Sequence, residues 1–232
     1  MYRRLVLFDV DGTLITDRGA ARQAYETALH EVYGYSGDLR RYDFSGRTDP
    51  QITHMVLGDA GLSSGDIDSR MPALWERYLA ALARNATADR VHALPGIPKL
   101  LESLSARPDV MLALLTGNIE PGARLKLAPP ALNGYFPFGA FGSDSPRREE
   151  LPPIAVERAS QIDGHRFRGR DVVIIGDSIY DVRCGTPHDA TTIAIASGKT
   201  SAETLQAEGP HYFFHSAEDL DAVLGAILSP PV

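Results

Sequence analysis

The sequence predicts a doubly wound α/β core, a parallel sheet covered by helices on both faces, with an all-helical subdomain inserted after its first strand. Three observations predict it. Short apolar runs recur, each ending in polar residues: Leu5 to Phe8, Val110 to Leu115, Val172 to Ile175 and Thr191 to Ala194. Continuous apolar runs of this length suit strands buried on both faces. Helical pattern separates the later runs, the order expected when parallel strands are joined by crossover helices. Between the first and second runs lie roughly 75 residues of helical pattern, too long for one connection and sufficient for a subdomain.

Taken in order, Leu5 to Phe8 opens the sheet and stops at Asp9-Val10-Asp11-Gly12-Thr13. Ala20 to Val32, Pro50 to Leu57 and Arg70 to Leu82 carry apolar residues at helical spacing, and Gly34 to Gly46 and Gly58 to Asp68 read as turn-rich joints between them. The helical cap is therefore expected at 15–92, with the core formed by 1–14 and 93–232. Ile97 to Leu104 is the next helix, set between Pro95-Gly96 and Pro108. Val110 to Leu115 ends in Thr116-Gly117-Asn118. Pro152-Pro153 opens a helix over Ile154 to Ile162, since proline in a first turn removes no helical hydrogen bond. Val172 to Ile175 ends in Gly176-Asp177-Ser178, and Thr191 to Ala194 ends near Ser197-Gly198. Ala217 to Leu228 closes the chain as a helix with Ser216 as its expected N-cap.

Composition excludes several classes. The 232 residues are 44% hydrophobic and 23% charged, inside the globular range. A net charge of −7 opposes general binding to nucleic acid. Cys184 is the one cysteine, so no intrachain disulfide forms. The start, Met1-Tyr2-Arg3-Arg4 and then Leu5 to Phe8, is too short in its apolar run for a signal segment, and no run reaches the length of a membrane span. A cytoplasmic protein, monomer or homodimer, is expected.

Ligands of open α/β sheets bind beyond the carboxyl ends of the strands. Polar groups gather there: Asp9 and Asp11, then Thr116 and Asn118, then Asp177 and Asp181. Any one of these aspartates could simply cap the next helix. Four gathered at this one edge would repel one another unless a hard cation sat among them, which implies Mg²⁺. The histidines fall in no metal-ligand spacing. Trp75 and Tyr78 share helical spacing with Leu74 and Leu82 and read as cap core.

An apolar strand followed by Asp9-Val10-Asp11-Gly12-Thr13 resembles the first motif, DxDGT, of the haloacid dehalogenase-like superfamily. Leu112 to Asn118 is similar to its second motif, and Gly176-Asp177-Ser178-Ile179-Tyr180-Asp181 to its fourth, GDxxxD. The resemblance implies a Rossmann-like core with a helical cap and a phosphoric monoester hydrolase similar to phosphoglycolate phosphatases. It makes Asp9 the nucleophile and Asp11 the acid and base. It assigns phosphate contacts to Thr116, Gly117, Asn118 and a third-motif cation. It places Mg²⁺ on Asp9, the Asp11 carbonyl and Asp177, with Asp181 as ligand or supporting partner. Gly46-Arg47-Thr48-Asp49 resembles the substrate-contacting cap loop, which points to Arg47 and Thr48.

The third motif departs from the pattern. The family's usual lysine is missing before the helix from Pro153, and Lys126, the one lysine between the second and fourth motifs, lies in the preceding helix. Arg148 has about the usual offset, with Arg147 beside it, and a guanidinium can pair a carboxylate and a phosphate together. The expected substrate is a small phosphorylated metabolite. A phosphosugar mutase similar to β-phosphoglucomutase is the alternative, and a catalytically silent binding protein the alternative of another class. Asp11 argues against a dehalogenase, and the absence of lysine from Ile15 to His92 against a phosphonate hydrolase.

Overall fold

The structure is a computed structural model that describes residues 4–229; the expected ends of the core at Met1–Arg3 and Pro230–Val232 lie outside the described residues. Six parallel strands form the main sheet in the order β5-β4-β1-β6-β7-β8. They are β1 (Arg4–Phe8), β4 (Val110–Thr116), β5 (Gly139–Phe141), β6 (Val172–Gly176), β7 (Thr191–Ile195) and β8 (Tyr212–Phe214). The first strand in sequence lies between β4 and β6, with Phe8 opposite Leu114 on one side and Ile175 on the other. Its side chains alternate between two cores because successive residues of a strand face opposite ways. Val6 and Phe8 pack with helices α4 (Ile97–Ser105), α5 (Glu120–Leu127) and α9 (Leu220–Leu228). Leu5 and Leu7 pack with α6 (Leu151–Asp163). Burial on both faces explains the unbroken apolar run of this strand.

The helical segment builds a core of its own. Helices α1 (Ala20–Tyr33), α2 (Asp49–Asp59) and α3 (Ser64–Asn85) bury Ala24, Leu29, Val56, Leu57, Leu74, Tyr78 and Leu82 against one another. The two chain crossings between this unit and the sheet pair as a short antiparallel ribbon, β2 (Ile15–Thr16) with β3 (His92–Ala93). A bridge from Asp11 to Ile15 and the bond from Leu94 N to Leu14 O anchor that ribbon to the turn after β1.

Several boundaries differ from the sequence reading. Helix α3 begins at Ser64, ahead of the expected Arg70, because the Ser63 side chain caps it by accepting from Asp66 N; Pro72 is carried inside the helix. The joint read over Gly58 to Asp68 shrinks to a few residues, since α2 itself runs to Asp59. The last helix starts at Leu220 with Asp219 as its cap, while the Ser216 hydroxyl turns to Glu218. Two edge strands, β5 and β8, and the ribbon β2–β3 carry too few residues to show a periodic pattern. No helix among the described residues is long and apolar enough to cross a membrane.

Candidate active site

Strand order decides what meets at the sheet's carboxyl edge. Because β4, β1 and β6 are neighbours, Thr116, Asp9 and Asp177 are brought side by side from distant parts of the chain. Asp9 is fixed by its backbone N–H, which donates to Ile175 O at 3.0 Å. The turn behind it uses Gly12 at φ 82°, a left-handed conformation that glycine adopts without steric cost. A side chain at Gly12 would also collide with the Asp177 carboxylate.

Arg148 is buried, and its Nη2 donates to Asp9 Oδ1 at 3.1 Å, to Leu115 O at 3.3 Å and to Asp181 Oδ1. It sits in the 3₁₀ turn Arg148–Glu150 just before α6, whereas Arg147 is exposed and pairs with Glu150. Asp181 is oriented from both ends. Its Oδ2 accepts from Ser178 N at 3.0 Å and Ser178 Oγ at 2.6 Å, the capping box of α7 (Ile179–Gly185), and Arg148 holds Oδ1. Asp177 Oδ1 accepts from Thr13 Oγ1 at 3.1 Å.

Carboxylate oxygens of Asp9, Asp177 and Asp181 lie within 4.8 Å of one another, all buried. Burial, together with repulsion from Asp181 and Asp11, pushes Asp9 up to about 7 despite the opposing pull of Arg148. Burial and the charges of Asp9 and Asp181 raise Asp177 well above the usual carboxylate range. These raised values report burial first and, after it, negative charge crowded at one edge. Four aspartates, counting Asp11, face two buried cations, Arg148 and Lys126, and a divalent ion would neutralise the remainder. Oxygen-only donors suit a hard cation such as Mg²⁺. Both oxygens of Asp181 already have partners, so Asp9 and Asp177 are the carboxylates best placed to hold it.

Asp11 points elsewhere. Its Oδ2 accepts from Asn118 Nδ2 at 2.8 Å and Lys126 Nζ at 2.7 Å, and its side chain is 42% exposed. Lys126 Nζ also donates to Asn118 Oδ1 at 2.6 Å, and Asn118 Nδ2 to Thr116 Oγ1 at 2.8 Å. The Asn118 side chain is therefore committed to Asp11, Lys126 and Thr116, and its N–H donates to Thr116 Oγ1 at 3.3 Å, which leaves the Gly117 N–H for the expected phosphate contact. Lys126 is the residue that sequence reasoning passed over, because a lysine inside a helix has no local signature of a site. Burial works against its charge, but Asp11, Tyr78, Asp49 and Asp17 outweigh that and raise its pKa.

The cap closes the site through one short segment. Thr48 caps α2 in a capping box with Gln51, and its hydroxyl donates to Pro146 O at 2.7 Å. Asp49 N donates to Gly117 O at 2.7 Å, and Asp49 Oδ2 accepts from Ile119 N at 2.8 Å. A Cβ at Gly117 would strike Arg47 O, so glycine is required where the segment crosses. The cavity enclosed has a volume of about 460 Å³ and is bounded by Asp9, Asp11, Thr116 and Arg148 below and by Arg22, Tyr25, Arg47 and Tyr78 from the cap. Arg47 reaches it, its guanidinium 5.5 Å from the Tyr180 ring centroid. Thr48, expected beside the substrate, does not line the cavity, because its hydroxyl is engaged in the cap and with Pro146. Tyr78 belongs to the cap core and also lines the cavity wall.

Residues 6–186 match the family model of the haloacid dehalogenase-like hydrolases. No curated protein matches the sequence. Among solved structures, a predicted phosphatase from Clostridium acetobutylicum superposes with a TM-score of 0.74 at 20% identity, covering 97% of this chain and 99% of that one. A predicted phosphoglycolate phosphatase from Haemophilus somnus gives 0.72 at 16% identity, covering 96% and 98%. A protein provisionally named β-phosphoglucomutase from Bacteroides vulgatus gives 0.68 at 19% identity, covering 97% and 89%. At these identities the likeness is one of fold.

Proposed function

The chain belongs to the haloacid dehalogenase-like hydrolase family, and from that premise we propose that it is a Mg²⁺-dependent phosphatase of a small phosphorylated metabolite, acting through an aspartyl-phosphate. The observation that carries the reading is the pairing of Asp9 with the buried Arg148 beside Asp177, on the floor of a cavity closed by the cap. An anionic nucleophile needs neighbouring cations when a phosphoryl group approaches it, and this site is built around that requirement.

In the first step a carboxylate oxygen of Asp9 bonds to phosphorus, the ester P–O bond breaks, and the leaving oxygen takes a proton from Asp11. In the second, water adds to phosphorus and gives a proton to Asp11, the bond to Asp9 breaks, and inorganic phosphate leaves. Arg148, the Thr116 hydroxyl and the Gly117 N–H after it are the donors for the phosphoryl oxygens. Asp9 and Asp177 would hold Mg²⁺, which supplies charge neutralisation to the nucleophile and the phosphoryl group. Arg47, on the cap side, would contact the rest of the substrate.

The test is phosphate release from a panel of phosphorylated metabolites, with and without chelator, by the wild type and Asp9→Asn. Asp9→Asn keeps the shape but lacks the attacking charge, so turnover should fall by several orders of magnitude with the fold intact. Appreciable turnover by a verified Asp9→Asn preparation refutes the mechanism. Transfer of the phosphoryl group to a sugar hydroxyl instead of water would make the enzyme a mutase.

A further inference from the structure

We propose that Lys126 is a positioning residue for Asp11: it pins one oxygen of that carboxylate so that the other is presented to the substrate. The inference rests on the acid and base role given to Asp11 above. Three hydrogen bonds close a ring. Lys126 Nζ donates to Asp11 Oδ2 at 2.7 Å and to Asn118 Oδ1 at 2.6 Å, and Asn118 Nδ2 donates to the same Asp11 oxygen at 2.8 Å. Among the described residues no protein donor reaches Asp11 Oδ1. The carboxylate is thus held through Oδ2, while Oδ1 accepts from no such donor and the residue lines the cavity.

The holder is itself rigid. Lys126 occupies the last turn of α5, where a cation is favoured by the helix dipole, and is 4% exposed. Its neighbours Ala123 and Leu127 are wholly buried in the core beneath the sheet edge. Asn118 is fixed in turn by its contact with Thr116 at the end of β4. An ion pair whose lysine is buried and whose carboxylate is 42% exposed adds little stability, since desolvation of the lysine and solvent screening of Asp11 offset the attraction. Positioning a proton donor at a reaction centre is the service that such an arrangement performs.

The two buried cations of the site therefore divide the work. Arg148 meets Asp9 and Asp181, and Lys126 meets Asp11. A lysine ten residues past Thr116 is then tied to the proton-transfer half of the chemistry and touches neither of the two carboxylates, Asp9 and Asp177, proposed to hold the metal.

Rapid-mixing kinetics with p-nitrophenyl phosphate test this, because its leaving group departs without a proton. Lys126→Met should give a burst of nitrophenol stoichiometric with enzyme. Slow turnover should follow, since water attack on the aspartyl-phosphate still needs Asp11 in place. Misplacing a reacting group by about 1 Å costs about 100-fold, and kcat should fall on that scale with no rise in KM. Lys126→Arg should recover part of the slow step. The burst amplitude counts folded sites, and if Lys126→Met does not fold, Lys126→Gln is read in the same way. Wild-type hydrolysis of the phosphoenzyme in these variants overturns the inference, as does a raised KM at unchanged kcat, which would make Lys126 a substrate ligand. If the wild type releases phosphate from no ester, the proposed function has failed instead.

Discussion

Replacing Arg148 by methionine removes the cation from a site that buries three carboxylates within ligand distance of one another. The side chain is 3% exposed and meets Asp9, Asp181 and Leu115 O, so water does not take its place. Removing one partner of a buried pair costs about 3–5 kcal/mol. For a chain of this size each kcal/mol moves the melting temperature by about 2–4 °C, so a fall of roughly 10 °C is expected. The assay is thermal melting at pH 8 in chelator, beside wild type and Arg147→Ala. Arg147 is exposed and paired only with Glu150, so its variant should melt with the wild type. At pH 5 the deficit of Arg148→Met should shrink, because Asp9, held near 7 even with the arginine present, is then protonated and no longer needs a counter-charge. In the presence of Mg²⁺, turnover by Arg148→Met should drop about 10²–10³-fold, the loss that accompanies removal of one preorganised donor. Equal melting temperatures for Arg148→Met and wild type at pH 8 would refute the charge-balance reasoning.

Two further outcomes follow from the same geometry. Without metal, the folded protein keeps protons on Asp9 and Asp177 that an unfolded chain, with carboxyls near 3.8, has released. Apo stability should therefore fall as pH rises from about 4 through 7, and Mg²⁺ should restore it at the alkaline end; a flat profile in denaturant titrations would contradict this. Gly117→Ala places a methyl against Arg47 O and threatens the bond from Asp49 N to Gly117 O. Overpacking there should cost about 1–3 kcal/mol and raise KM on an aryl phosphate, and unchanged melting and kinetics would show that the cap segment does not bear on that loop.

The central strands were legible because burial on both faces leaves an unbroken apolar run, as in Val172 to Ile175. Asp9, Asp177 and Arg148 could be placed at one sheet edge because each follows or precedes an element that the pattern shows. What the pattern does not show is contact between distant segments. Lys126 finds Asp11 across 115 positions, and nothing near either residue announces the other. Thr48 has the reverse history. Its neighbourhood reads as a substrate loop, yet its hydroxyl is engaged as a helix cap and with Pro146. Helix α3 was begun at Arg70 in the sequence reading because Gly58 to Asp68 reads as a turn-rich joint, while in the fold Ser63 caps the helix and tertiary packing carries it past Gly65.

The central position of β1 has a consequence for how the chain is made. On the ribosome this strand emerges ahead of the cap, but its two neighbours, β4 and β6, are encoded only after the whole helical cap. Helices α1, α2 and α3, with Leu39 from the turn between α1 and α2, bury a cluster composed almost wholly of the cap's own residues, with Ile119 as the buried contribution from beyond the cap. The cap thus has nearly everything it needs to condense while β1 waits unpaired, an apolar strand with both edges open. The cap can condense before β1 is paired, and the strand that carries Asp9 gains both neighbours only when residues far downstream arrive to flank it.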